Sequence, residues 1–240
     1  MSVRVLTGTS GYSYDEWRGN FYPEKIAARD MLRFYAGRFP TVEINNTFYR
    51  MPREPLLQGW ADQVPEGFSF VIKAPQRITH IRRLKECGEQ LTFLFGVTAT
   101  LGARLGPLLF QLPPNFRKDV PRLRSFFAAM PDRRRVAIEF RHASWFDDDV
   151  YERLRARNLA LCVADSEKLQ TPVEITADYA YFRLRDEGYT PDDIARWADI
   201  IRAKTSGSTD VFVYFKHEES GKGPEFGRLL MQQFGAPSQT

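Results

Sequence analysis

The sequence predicts an α/β protein, a single (β/α)8 barrel of parallel strands with an incomplete helix after the sixth. Three observations predict it. Short apolar runs alternate with amphipathic segments along the whole chain, several of those runs end abruptly in polar or charged residues, and no low-complexity linker interrupts the alternation. Strand, helix, strand repeated in this way implies parallel pairing, and eight such strands can close on themselves without leaving an exposed edge. An open doubly wound sheet is the rival, but GTSGY at Gly8 to Tyr12 carries only two glycines after the first strand and is no dinucleotide fingerprint.

The eight strands are centred near Val5, Val42, Phe70, Leu109, Ile138, Leu161, Tyr181 and Val213. Between them, Met31 to Phe39, Leu91 to Leu105, Val120 to Met130 and Val150 to Asn158 repeat apolar residues at helical spacing. The best-marked helix starts at Thr190, an N-cap followed by Pro191 and, three places on, by Asp193, whose carboxylate can reach back. It should run to about Lys204, because Gly207 follows shortly after. The stretch from Asp165 to Asp178 contains Pro172 and is too broken for a full helix.

The 240 residues, 43% of them hydrophobic, support one large core, so residues 1–240 are expected to form one domain. A net charge of +4 and a pI near 9.1 tilt the molecule toward anionic partners. With 34 basic against 30 acidic residues, however, the surface is mixed rather than polycationic. Cys87 and Cys162 are too few for a disulfide framework and lie in apolar surroundings, which points to buried free thiols in a reducing compartment. The first residues lead into a strand-like run with no leader pattern, and no apolar run is long enough to cross a bilayer. A soluble cytoplasmic protein without a membrane partner is expected. Oligomeric state is not readable.

In a strand every second side chain faces the barrel interior. In Ala137 to Arg141, Ile138 and Phe140 share one face, and Ala137, Glu139 and Arg141 the other. The charged set must face the lumen and its mouth, since a charge beneath the helix layer would lose its water without compensation. The same rule sends Glu43, Asn45, Lys73, Gln111, Arg183, Tyr214 and Lys216 inward, and Asp165 closes the sixth strand. These residues lie at the C-terminal strand ends, where barrel enzymes place reactive groups.

Two readings of the acids stand side by side. Glu43, Glu139 and Asp165 form an acid/base or metal-binding set, or they pair with neighbouring cations in a structural network. Lys73, Arg141, Arg183 and Lys216 suit a phosphate or carboxylate, Arg offering bidentate capture, or they neutralise the three acids. A divalent ion on Glu43, Glu139, Asp165 and His142 is one arrangement, but no zinc spacing occurs among His80, His142 and His217, and no cofactor is specified. Ser10 is not in a nucleophile elbow, so turn chemistry is its expected role. Aromatic residues after strand one (Tyr12, Tyr14, Trp17, Phe21, Tyr22), strand two (Phe48, Tyr49) and strand five (Trp145, Phe146) either stack on a sugar or base or plug the barrel mouth. Basic groups at Arg77, Arg82, Arg83 and Lys85, and at Arg133 to Arg135, either track a nucleic-acid backbone or form solvated surface.

Longer motifs carry a family likeness. They are GTSGYSYDEWRGNFYP at Gly8 to Pro23, VEINNTFYRMP at Val42 to Pro52, ITH at Ile78 to His80, LGPLLFQLPPNF at Leu105 to Phe116, AIEFRHASW at Ala137 to Trp145, and VFVYFKHEESGKGP near the end. In these the chain resembles the YecE-like proteins, domain-of-unknown-function family 72. The resemblance implies a TIM-barrel-like fold and no settled activity, with a likeness to barrel endonucleases and sugar isomerases. The motif positions it carries over are Gly11, Tyr12, Trp17, Glu43, Asn45, Asn46, Gln111, Glu139, Arg141, His142 and Trp145. The chain departs from the family after strand seven, with Arg183, Leu184, Arg185 and Asp186 in place of R-x-H-G. It departs again after strand eight, with Lys216, His217 and Glu218 in place of Asn-rich text, so no family role is carried onto those two loops.

The function expected is that of an enzyme, a hydrolase or isomerase acting on a phosphorylated sugar or nucleic-acid-derived substrate. In it Glu139 or Glu43 is the general base and Arg141 and Lys73 hold the anion. The alternative is a non-catalytic protein that binds nucleic acid or a phosphorylated metabolite.

Overall fold

In the computed structural model, which describes residues 3–165, 169–216 and 221–235, the strands are β1 (Arg4–Thr9), β2 (Thr41–Ile44), β3 (Ser69–Lys73), β4 (Leu105–Gln111), β5 (Val136–Glu139), β6 (Ala160–Asp165), β7 (Tyr179–Leu184) and β8 (Asp210–Phe215). All pair in parallel in the order β1-β8-β7-β6-β5-β4-β3-β2. Helices α1 (Met31–Ala36), α2 (Glu54–Ala61), α3 (Gly88–Thr98), α4 (Val120–Ala128), α5 (Asp148–Ala156), α6 (Pro191–Lys204) and α7 (Lys222–Gln233) follow every strand except β6. The expected break after β6 is complete among the described residues: 169–178 contain no helical turn. Thr176 ties this strap to the barrel, accepting from Leu161 N and donating to Leu159 O.

The outer strand faces, with Val42, Ile44, Phe70, Ile72, Phe110 and Ile138 among them, form one large core with the helices. A second outer core gathers Phe182, Leu184, Val213 and Phe215 under α6 and α7. Inside the barrel, Leu6, Val71, Leu109, Ala137, Cys162, Tyr181, Phe212 and Tyr214 form a separate cluster, the filled lumen that period two demands. Cys87 and Cys162 are both free and buried. The α6 capping box is present, with Thr190 N donating to Asp193 Oδ2 at 2.8 Å.

β1 and β2 close the barrel with almost no ladder. One bridge joins Ser10 to Glu43, and Gly11 N donates to Glu43 O at 2.8 Å. Below it the hydroxyl of Tyr35, from α1, is wedged into the seam, accepting from Thr9 N at 2.8 Å and donating to Thr41 O at 3.0 Å. Gly8 permits this approach, since a Cβ there would lie 2.1 Å from the Thr41 carbonyl oxygen. No helix among the described residues is long and apolar enough to cross a membrane.

Candidate functional site at the barrel mouth

Period two delivers Glu43 from β2, Glu139 from β5 and Arg183 from β7 to the same level of the lumen, all essentially without solvent contact. Arg183 stands between the two acids. Its Nε and Nη2 grip the Glu43 carboxylate at 2.9 and 2.8 Å, and its Nη1 reaches Glu139 Oε2 at 2.7 Å. Glu43 also accepts from Ser10 Oγ at 2.8 Å and Tyr181 OH at 2.6 Å. Gln111 Nε2 donates to both Glu139 oxygens, at 3.0 and 2.9 Å.

Burial alone would push the Glu139 carboxyl up, but Arg183 and Arg185 outweigh it and hold that group at about 2. Glu43 is likewise held down, burial being overcome by Arg183 and the Tyr181 and Ser10 hydroxyls. Arg183 is raised well above an ordinary guanidinium, because Glu43 and Glu139 overcome its burial.

Above this triad the mouth is cationic. Arg185 Nη1 lies 3.8 Å from Glu139 Oε1, and its Nε is buried without a partner. Half-buried Arg141 lies within electrostatic reach of Glu139, Arg185 and Arg183. Lys73 sits with its ammonium 4.4 Å from the Phe48 ring centroid. Burial brings it down to about 8, with Arg183 and Lys216 adding to the fall and Glu139 and Glu43 opposing it. His80, on the π-helical turn Arg77–Ile81, packs edge-on to Phe48. Burial lowers its imidazolium, with the like charges of Lys73 and Arg141 adding to the fall and Glu139 opposing it. Single π turns of this kind recur at functional sites.

The structure thus brings together Glu43, Glu139, Gln111, Arg183, Arg141 and Lys73, with exposed Lys216 at the rim. Asn45 follows the end of β2 in helical backbone as the N-cap of the short helix Asn46–Phe48, so strand alternation does not direct it, and its buried amide meets no hydrogen-bonding group. Asn46 is exposed beside it.

Other expected members lie elsewhere. Asp165 is one residue past inward-facing Ala164 and therefore turns outward. There it accepts from Tyr189 OH at 2.6 Å in a separate cavity of about 350 Å³ against α6. His142 likewise follows inward Arg141, and its Nδ1 caps the short helix Ala143–Trp145 by accepting from Ser144 N. Trp145 is core, stacked on Phe140 and donating to Phe116 O. Trp17 is core among Tyr14, Phe21 and Tyr22. Tyr214 faces inward but lies deep in the lumen, tied to Thr41 Oγ1. Tyr12 is partly buried against Tyr35 and lines a small cavity between the loops after β1 and β2.

These placements bear on the expected divalent-ion set of Glu43, Glu139, Asp165 and His142, which does not assemble. A guanidinium occupies the space between Glu43 and Glu139, Asp165 and His142 point away, and no group of three His, Cys, Asp or Glu able to hold a metal ion occurs among the described residues. The basic groups also divide. Arg77, Arg82, Arg83 and Lys85 follow β3 at the mouth, whereas Arg133 to Arg135 precede β5 at the opposite end, where Arg135 pairs with Asp210. His217, Glu218 and the start of GKGP's preceding loop lie outside the described residues.

Sequence reasoning missed Tyr181, Arg185, Ser10 and His80. The first two share the parity of Arg183, so the same alternation already pointed them inward. Ser10 and His80 had no such signal, because loop residues have no period.

Comparison with known proteins agrees with this architecture. A DUF72 family protein from Thermotoga maritima superposes with a TM-score of 0.87 at 25% identity, covering 97% of this chain and all of that one. A DUF72 family protein from Enterococcus faecalis gives 0.81 at 18% identity, covering 98% of this chain and 97% of that one. The UPF0759 protein YunF of Bacillus subtilis is 24% identical over 268 aligned positions, covering 95% of this chain and 94% of its own. YecE of Escherichia coli is 30% identical over 129 residues, about half of each chain (53% and 47%). Residues 6–240 match the family described as Protein of unknown function DUF72, and the chain belongs to that family.

Proposed function

We propose that the chain is an enzyme that binds a small phosphorylated or carboxylated substrate in the barrel mouth and moves a proton on it, with Lys73 as the group that exchanges the proton. One observation carries this: a half-buried lysine held at about 8 stands at the rim of a site where five cations face two fully engaged carboxylates. The cationic surplus favours an anion. A general base works best with a pKa near the operating pH, and Lys73 meets that condition.

Glu43 and Glu139, the bases expected from the sequence, suit the task poorly. Their oxygens already accept four and three hydrogen bonds, and Glu139 lies at about 2. Bridged by Arg183, they are also no free acid/base pair to flank a glycosidic bond. Their role in this reading is to fix Arg183 and set the potential at Lys73. Of the two expected reaction types, isomerisation is favoured, because it asks only for an anion clamp and one proton-exchanging group.

The test is solvent-deuterium incorporation, followed by proton NMR, into a panel of phosphorylated aldoses and ketoses. Incorporation should rise through an apparent pKa of about 8. Lys73→Met should abolish it, a loss of at least about 100-fold given the usual contribution of acid–base catalysis, while Arg141→Ala should chiefly raise KM. Incorporation undiminished in Lys73→Met refutes the assignment. Salt-sensitive binding of the same compounds without turnover would favour the non-catalytic reading.

A further inference from the structure

Taking a proton from the carbon beside a carbonyl drives negative charge onto the carbonyl oxygen, and a donor aimed at that oxygen accelerates the step. His80 is placed to be that donor. Its imidazole centroid lies 4.9 Å from the centre of the Phe48 ring, and the Lys73 ammonium lies 4.4 Å from that same centre, so a short carbon chain can span the two. Of the charged groups around His80, Lys73 acts on it most strongly. The Nε2 atom of His80 meets no hydrogen-bonding group among the described residues and is not sealed from solvent, and the same is true of Lys73 Nζ.

The state of the ring suits a donor to an uncharged oxygen. Burial, Lys73, Arg141 and Arg83 press it toward the neutral form, with Glu139 opposing them. A neutral imidazole carries one proton, and the hydrogen bond at one nitrogen decides whether the other holds it. Nδ1 lies 2.9 Å from the hydroxyl of Thr79, a fully buried residue whose hydroxyl has no other hydrogen-bonding partner among the described residues. A buried hydroxyl left without an acceptor is costly, so it donates to Nδ1, and the ring proton stays on Nε2. The guanidiniums of Arg141 and Arg185 serve the anion better, since a neutral ring adds no attraction for a phosphate.

We propose that His80 is a second catalytic residue of this site, its Nε2–H donating to the carbonyl oxygen of a phosphorylated aldose or ketose while Lys73 exchanges the proton on the neighbouring carbon. This rests on the Lys73 reading above. The Lys73 amine takes the proton, the C–H electron pair becomes a C=C bond, and the carbonyl pair moves onto the oxygen held by His80. The hydroxyl proton on the neighbouring carbon's oxygen then passes to that oxygen, the neighbouring carbon becomes the new carbonyl, and Lys73 returns its proton to the first carbonyl carbon. No oxidant or co-reactant enters.

Nitrogen-15 NMR of histidine-labelled protein reads the ring directly, the His80 signal being identified by its loss in His80→Gln. Near neutral pH it should be an uncharged ring with its proton on Nε2; a proton on Nδ1, or a charged ring, overturns the assignment. Deuterium incorporation into the same panel of sugar phosphates supplies the kinetic test. His80→Phe keeps a ring against Phe48 and removes the donor, so kcat should fall by about 100-fold or more while KM stays near the native value and the rise through about 8 is retained. His80→Gln keeps an N–H and should fall between the two, and it carries the test should the phenylalanine variant not fold. An undiminished kcat in these variants, or a change in KM alone, overturns the role of His80 and leaves that of Lys73 standing. No incorporation by the native protein into any member of the panel overturns the Lys73 reading itself, and the role of His80 with it.

Discussion

A guanidinium buried between two carboxylates stabilises a fold only while all three charges are present. Glu139 has an ordinary value near 4.5 and a folded value of about 2, and Glu43 is displaced in the same direction. Between those limits the unfolded chain binds more protons than the native one, so stability rises with pH. Their contribution is complete above about 4.5 and is lost as the medium is acidified toward 2. Urea titrations across this range should show that slope. Arg183→Met should cost about 3–5 kcal/mol near neutrality, because it strands two buried charges. It should also reverse the slope: burial then dominates, both carboxyls rise above their ordinary value, and stability improves on acidification. A variant that keeps the native slope would show that Arg183 is not what holds these acids down. That Glu43, Glu139 and Arg183 face inward was readable from alternation. Which cation serves which acid was not, since it depends on side-chain reach across the lumen between strands far apart in sequence.

At the scale of elements, period two and helical spacing made the eight strands and the helices after β1, β3, β4, β5 and β7 legible. Helix α2 and helix α7 were not identified. α7 opens with Lys222, Gly223 and Pro224 and carries Gly227 in its middle, poor helix-forming text. Packing explains the glycine: a Cβ on Gly227 would lie 2.8 Å from the Phe39 ring. Asp165 shows the same rule misapplied. Its polarity suggested the site, but its parity, shared with Leu161 and Val163, sends it outward, and the sequence held that information. Gly8 gives the element-scale prediction. It lies where β1 meets β2, and a methyl group there would strike the backbone oxygen of Thr41 rather than a movable side chain. Gly8→Ala should therefore cost about 3 kcal/mol, the upper end for overpacking. Chemical denaturation measures it, and a change below about 1 kcal/mol would mean that the two strands part without penalty.

For the whole molecule, closure rests on a side chain. Seven of the eight strand junctions are hydrogen-bonded ladders, while the β1–β2 junction has one bridge and the hydroxyl of Tyr35. That hydroxyl satisfies Thr9 N and Thr41 O, which a ladder would otherwise have paired with each other's strands. No local pattern in the sequence announces this, because a tyrosine at an apolar position of α1 reads as core. The consequence bears on the site, since Ser10 and Glu43, bonded to each other through their side chains, form the one bridge of the seam. Tyr35→Phe keeps the ring in its fully buried place and removes only the oxygen, leaving a buried donor and a buried acceptor unpaired. The expected cost is about 2–4 kcal/mol, from about 1–3 for each orphaned group with partial relaxation. Hydrogen exchange gives the sharper measurement. In Tyr35→Phe the amides of Thr9, Ser10 and Gly11 should lose protection by more than the global loss of stability accounts for, while the β7–β8 ladder follows the global change. Uniform loss across all eight strands would mean that the barrel opens only by complete unfolding, and that the seam is no weaker than its ladders.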